Sequence, residues 1–220
     1  MPHEFAWRDL LYLLRGAEWT LVLSLIAFAG GGVCGLAVAL GRNAANPVLR
    51  RVTIAFVRVN QGTPLLIQLF IVFFGAAMLG GDISPLLAAS GCLVINTAAF
   101  LGEVWAGCIR AVPEGQWQAA QALGLRPLAL YARVVLPQAV RIAIAPTVGF
   151  LVHVIKGTSL ASLIGFVELS RAAQVVNNAT FQPMLVFAVI GGIYFMLCWP
   201  LSLASAWLEQ RLGRGHGARA

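Results

Sequence analysis

The stretch 114–137, EGQWQAAQALGLRPLALYARVVLP, decides how the rest of the chain is read. It is a long polar-interleaved segment in an otherwise apolar sequence. It carries Gln116, Gln118, Gln121, Arg126 and Arg133, yet its apolar residues still recur at helical spacing. The pattern predicts two short helices. The first stops near Gly124, because glycine accepts the left-handed conformation that closes a helix. The second starts at Pro127, where a fixed φ and a missing N–H do no harm. Trp117, Ala120 and Leu123, then Leu128, Tyr131, Val134 and Val135, give each helix an apolar side. An amphipathic helix pair between two membrane spans is a surface offered to another molecule. The alternative is a connector that lies on the lipid.

The flanking sequence is built for a membrane. The 220 residues are 60% hydrophobic and 10% charged, with a mean hydropathy of +0.84; a soluble domain carries about a quarter charged residues. At about 20 residues per crossing, the expected fold is all-α and transmembrane. It is a single five-span helical bundle over 1–220, with spans at about 18–41, 52–79, 84–110, 138–157 and 184–208, and the helix pair (112–137) between the third and fourth. The net charge of +7 reflects topology rather than nucleic acid, since the arginines sit in the connections. Cys34, Cys92, Cys108 and Cys198 lie in apolar runs without paired spacing and read as small buried hydrophobes, not disulfides or metal ligands. Residues 1–19 are too polar for a signal peptide. Phe5, Trp7, Leu10, Leu11 and Leu14 form one face of a helix expected to lie at the interface. The last residues, from Glu209 on, are basic and expected to fray.

Several positions inside the spans invite a functional reading. Gly30, Gly31, Gly32 and Gly35 suit close helix packing, with a hinge as the second choice. Asn60-Gln61-Gly62-Thr63-Pro64 interrupts the second span, and such a break survives at membrane depth only where protein or water satisfies the freed groups. Glu103 falls inside the third span, where a carboxylate costs about 2.5–3.5 kcal/mol; it calls for a paired, protonated or water-facing setting. Residues 142–155, between Arg141 and Lys156, are charge-free but shorter than a full crossing and include Pro146 and Gly149. Interrupted apolar segments of this kind are the sequence pointer to a transport path, with a plain re-entrant loop as the alternative.

These motifs carry a resemblance. Gly115-Gln116-x-Gln118-Ala119-Ala120-x-Ala122-Leu123-Gly124, followed by Leu136-Pro137, is similar to the EAA loop of the membrane subunits of ATP-binding-cassette importers, in particular those for polar amino acids. Gly62-Thr63-Pro64-Leu65-Leu66 and Lys156-Gly157-Thr158-Ser159-Leu160-Ala161-Ser162 resemble two further signatures of that subfamily. Gln61, Ala106, Gln118, Gly149 and Gly157 stand where the family usually has Arg, Arg, Glu, Asn and Asp. The resemblance implies that Gly115, Gln116, Gln118, Ala119, Ala120, Leu123, Gly124, Leu136 and Pro137 couple to an ATPase. It places the substrate path among Gln61, Thr63, Glu103, Gly149, His153, Lys156, Thr158 and Ser159. It also implies two ATPase subunits, an extracytoplasmic substrate-binding protein and a second permease subunit, identical or related, in a bacterial cytoplasmic membrane.

Orientation has an independent check. If 112–137 is cytoplasmic, that side holds Arg42, Arg50, Arg51, Arg126, Arg133, Arg211, Arg214 and Arg219, with Arg110 and Arg141 at its edge. The other side holds Arg8, Arg15 and Arg171, with Lys156 at its edge. The excess obeys the positive-inside rule. No phosphate-binding loop is present, because Lys156-Gly157-Thr158 reverses the required order. No cofactor is expected, and the energy must come from a partner. Two other readings stay open: an ion-coupled transporter using Glu103 and Lys156, and an intramembrane hydrolase built on Ser159 and His153.

Overall fold

Helices account for all the regular structure in the computed structural model, which describes residues 4–213. Of the expected basic tail from Glu209, residues through Gly213 continue the last helix rather than fray, and Arg214, Arg219 and the others after 213 lie outside the described residues. In chain order the elements are α1 (Trp7–Arg42), α2 (Pro47–Gly62), α3 (Leu65–Met78), α4 (Pro85–Arg110), α5 (Glu114–Ala122), α6 (Pro127–Leu130), a π turn (Tyr131–Val135), α7 (Leu136–Gly157), a 3-10 segment (Thr158–Ile164), α8 (Leu169–Thr180) and α9 (Pro183–Gly213). Four helical stretches are long and apolar enough to cross a membrane, five if the bent pair α2–α3 is one span.

The N-terminal expectation needs correction. No separate interfacial helix precedes the first span, because α1 runs unbroken for 36 residues. At 1.5 Å per residue that is about 54 Å, against about 30 Å of hydrocarbon. The surplus turns pack on protein: Leu13 and Ala17 join Leu169, Ala172 and Val176 of α8 and Val186 of α9 in one buried cluster. Trp7, Leu11 and Leu14 remain on the exposed side.

The α1 glycines pack rather than hinge. A Cβ on Gly31 would lie 2.4 Å from the Thr97 Cβ, and one on Gly102 of α4 2.4 Å from Val38 Cγ1. The two backbones approach so closely because small residues meet there. Cys34, however, is exposed, while the other three cysteines are buried; all four are free thiols.

The second span is more than kinked. α2 and α3 meet at 96°, too sharp for a proline kink alone. Pro64 has no N–H to offer the Asn60 carbonyl. The side-chain amide of Gln68 takes over, donating to the carbonyls of Asn60 and Thr63 at 3.0 Å each.

The boundary before the fourth span also differs. Pro127–Ile164 is one continuous 38-residue helical stretch, so α6 is the start of the membrane helix. Pro137 sits in the first turn of α7, just past the π turn. A π turn shifts the hydrogen-bond register by one residue and so accommodates the donor that proline lacks. Gln138 Nε2 donates to the displaced Val134 carbonyl at 2.8 Å. Pro146 and Gly149 do not break α7. The change of geometry comes at Thr158, where the helix tightens to 3-10 and ends on Gly165 at φ +87°. At the other end of the chain α9 passes through Pro200 to Gly213, beyond the expected limit at 208, and Arg211 lies 4.3 Å over the Trp207 ring.

Candidate functional site

The helix pair is rigidly braced. Gly124 adopts φ +69° and closes α5, as its position predicts. Trp117 meets Tyr131 edge to face at 5.2 Å. Ala120, Leu130 and Val135 are buried with Ile109 and Val112 at the end of α4. Ala120 therefore faces inward and supplies packing, not contact surface. Leu123 and Leu128, from the apolar side read in the sequence, point out at 80% and 83% exposure. Gly115, Gln116, Gln118, Ala119, Gly124 and Pro137 are exposed around them, and Leu136 is half-buried. Gln116 accepts from Gln138 Nε2 at 3.4 Å, which ties α5 to the base of α7.

A second feature is a cavity of about 490 Å³ where α3, α4, α7 and the 3-10 segment meet. Its walls include His153, Lys156 and Ser159 from the predicted path, with Gly157 beside them and Asn96 and Phe100 from α4. Phe100 stacks on Phe150 at 5.5 Å and 22°, and Phe150 on His153 at 6.1 Å and 17°. Ser159 Oγ donates to the Lys156 carbonyl at 2.7 Å. Thr158 is fully buried, its hydroxyl donating to the Ile155 carbonyl at 2.8 Å. Gln61 and Thr63 sit at the α2–α3 break, next to Leu65, which lines the cavity.

Gln61, Thr63 and Thr158 do not line this cavity, and Gly149 and Glu103 face other partners. Gly149 faces α9, where a Cβ would come within 2.9 Å of Ser205 Oγ; a helix packs where the path was expected. Glu103 pairs with Arg42 at the end of α1, and Arg110 lies 3.5 Å from the same carboxylate oxygen. Pairing meets the cost of placing a carboxylate in a span. Ala106, where the family usually has an arginine, is fully buried, and the cation that meets Glu103 comes from α1.

Two polar residues escaped the sequence reading. Asn96 is half-buried in α4 and, among the described residues, its side chain has no hydrogen-bond partner. An amide in a membrane helix was the available signal. Glu168 is fully buried. It caps α8 by accepting from the Ser170 and Arg171 backbone N–H groups, each at 2.9 Å, and from the Tyr194 hydroxyl at 3.1 Å. The Thr20 hydroxyl of α1 completes the set at 3.4 Å. Burial pushes the Glu168 carboxyl above its ordinary value, against the opposing pull of those donors. A carboxylate six residues past the Lys156–Ser162 signature was the available signal.

Comparison with known proteins assigns the class. Residues 31–214 match the family model described as the inner membrane component of binding-protein-dependent transport systems. The chain belongs to this family, the permease subunits of ATP-binding-cassette importers. It is 35% identical to the L-cystine transport system permease protein TcyB of Bacillus subtilis, over 92% of this chain and 87% of that one. It is 33% identical to the nopaline transport system permease protein NocM of Agrobacterium fabrum, over 94% and 92%. A crystal structure of an amino acid ABC transporter with histidines superposes with a TM-score of 0.88 at 28% identity, covering 93% of this chain and 95% of that chain.

Proposed function

We propose that this permease imports a polar amino acid or related zwitterion, paired with an identical or related subunit in a bacterial cytoplasmic membrane. Two ATPase subunits would grip the 114–130 helix pair from the cytosol, and a binding protein would deliver substrate from outside. The observation that carries this reading is the exposed pair Leu123 and Leu128, mounted on helices whose other faces are locked to α4 and α7. Force applied there passes into α7 without a joint, because α6, the π turn and α7 are continuous. α7 in turn lines the cavity through His153 and Lys156, which we take as the translocation site, with Gln61, Thr63, Thr158 and Ser159 as its supports. Relatives for L-cystine and nopaline favour a zwitterionic cargo.

The other readings lose their geometry. Glu103 is engaged by Arg42 and is not free to work with Lys156. Ser159 donates to a backbone carbonyl and His153 stacks on Phe150, so no Ser–His pair forms. The test is reconstitution with the ATPase and binding-protein partners in proteoliposomes. Uptake that needs ATP and both partners supports the reading; uptake driven by an ion gradient with this chain alone refutes it.

A further inference from the structure

The cavity has an unbalanced chemistry. Lys156 is the only charged residue in its lining, and among the described residues it makes no ion pair. Asn96 adds an unpartnered amide. No carboxylate lines the cavity. Glu103 is taken by Arg42, and position 157 is glycine. Beside Lys156 on the same lining, Phe100, Phe150 and His153 form an aromatic stack. The volume, about 490 Å³, suits a small organic molecule.

We infer that this cavity recognises a carboxylate joined to a planar or apolar body, and makes no demand for an ammonium group. The Lys156 ammonium and the Asn96 amide would hold the carboxylate by charge-assisted hydrogen bonds, and the aromatic wall would take the body. An ammonium group would find no counter-charge among these lining residues and so would add nothing to binding. Gly157 is where the discrimination can be reversed. A Cβ there would meet only Leu93 and Leu65 methyl groups, at 3.6 and 3.7 Å, which is ordinary contact. A Cβ at 157 is therefore accommodated, and the Gly157→Asp carboxylate would give an ammonium group the counter-charge the lining lacks. The inference rests on the cavity being the translocation site.

The experiment uses the complete complex with its ATPase partners in nanodiscs, without binding protein. Ser159→Cys is introduced beside Cys34→Ala, which removes the exposed thiol. Protection of that cysteine from a maleimide is measured with 3-phenylpropionate, L-phenylalanine, 2-phenylethylamine and L-glutamine. Phenylpropionate and phenylalanine should protect at similar concentrations, and phenylethylamine should not. Lys156→Gln should raise the half-protecting phenylpropionate concentration about tenfold or more, the scale of a lost charge-assisted contact. Gly157→Asp should let phenylethylamine protect. Protection by phenylethylamine in the parent, or by glutamine but not phenylpropionate, overturns the carboxylate-and-apolar-body inference while keeping the cavity as the site. Protection by none of the four overturns both.

Discussion

Replacing Gln68 with methionine removes two hydrogen bonds with little change of volume, and the cost follows from the α2–α3 break. The Gln68 amide serves the carbonyls of Asn60 and Thr63 at 3.0 Å each, and Pro64 offers neither of them a donor. A hydrogen bond contributes roughly 0.5–1.5 kcal/mol net, and a buried group left without a partner costs about 1–3 kcal/mol. Both carbonyls belong to half-buried residues, so water makes good part of the loss and Gln68→Met should destabilise by about 2–3 kcal/mol. Equilibrium unfolding in mixed detergent–SDS micelles measures this, and amide exchange over 65–69 should quicken locally. Gln68→Glu gives a sharper signature. As a carboxylate it sets negative charge against two carbonyl oxygens, so the loss should exceed that of the methionine variant. Protonated, it regains one donor, so stability should recover as pH falls through the carboxylate range. A Gln68→Met change under about 0.5 kcal/mol, with no pH response in Gln68→Glu, would show that the break does not depend on this amide.

The remaining expectations concern the helix contacts and the two carboxylates. Gly31→Leu should disrupt the α1–α4 contact, because even a Cβ meets Thr97 at 2.4 Å; Gly32→Ala, whose Cβ would lie 3.7 Å from Trp105, should leave thermal stability unchanged. Overpacking of this kind costs about 1–3 kcal/mol, and equal stability of the two variants would contradict the packing reading. Glu103→Gln should lower thermal stability without changing substrate affinity, since the carboxylate holds Arg42; a raised substrate Kd with unchanged melting would return Glu103 to the substrate path. Glu168 holds a proton in the folded chain at pH values where the unfolded chain has lost it, because burial raises its pKa. Stability should therefore fall as pH rises from the ordinary carboxylate value through the raised one, and Glu168→Gln should flatten that part of the melting-temperature profile.

The helix pair was legible because its signals are local. Gly124 and Pro127 each carry a backbone preference that needs no tertiary contact, and the first helix ends and the second begins as those residues predict. The outward turn of Leu123 and Leu128 was not legible, since helical spacing alone does not say which of two apolar stripes meets α4. The α1 extension was hidden for a related reason: Phe5, Trp7, Leu10, Leu11 and Leu14 read as an interfacial face, while the buried stripe through Leu13, Gly16 and Ala17 finds its partner only once α8 folds back. The break at Pro64 was visible, but the amide that sustains it lies four residues on, within a motif read as a whole. Glu103 illustrates the limit most clearly. The cost of its charge was plain from its place in a span, whereas its partner, Arg42, lies 61 positions away in sequence.

The account turns on a cytosolic motor gripping the 114–130 helix pair, and cysteine crosslinking at Leu123 tests that most directly. In membranes containing the partner proteins, Leu123→Cys should crosslink to the ATPase subunit, and the inward-facing Ala120→Cys should not. Labelling of Leu123→Cys by an impermeant maleimide from outside intact cells, with no ATPase captured, would contradict the account.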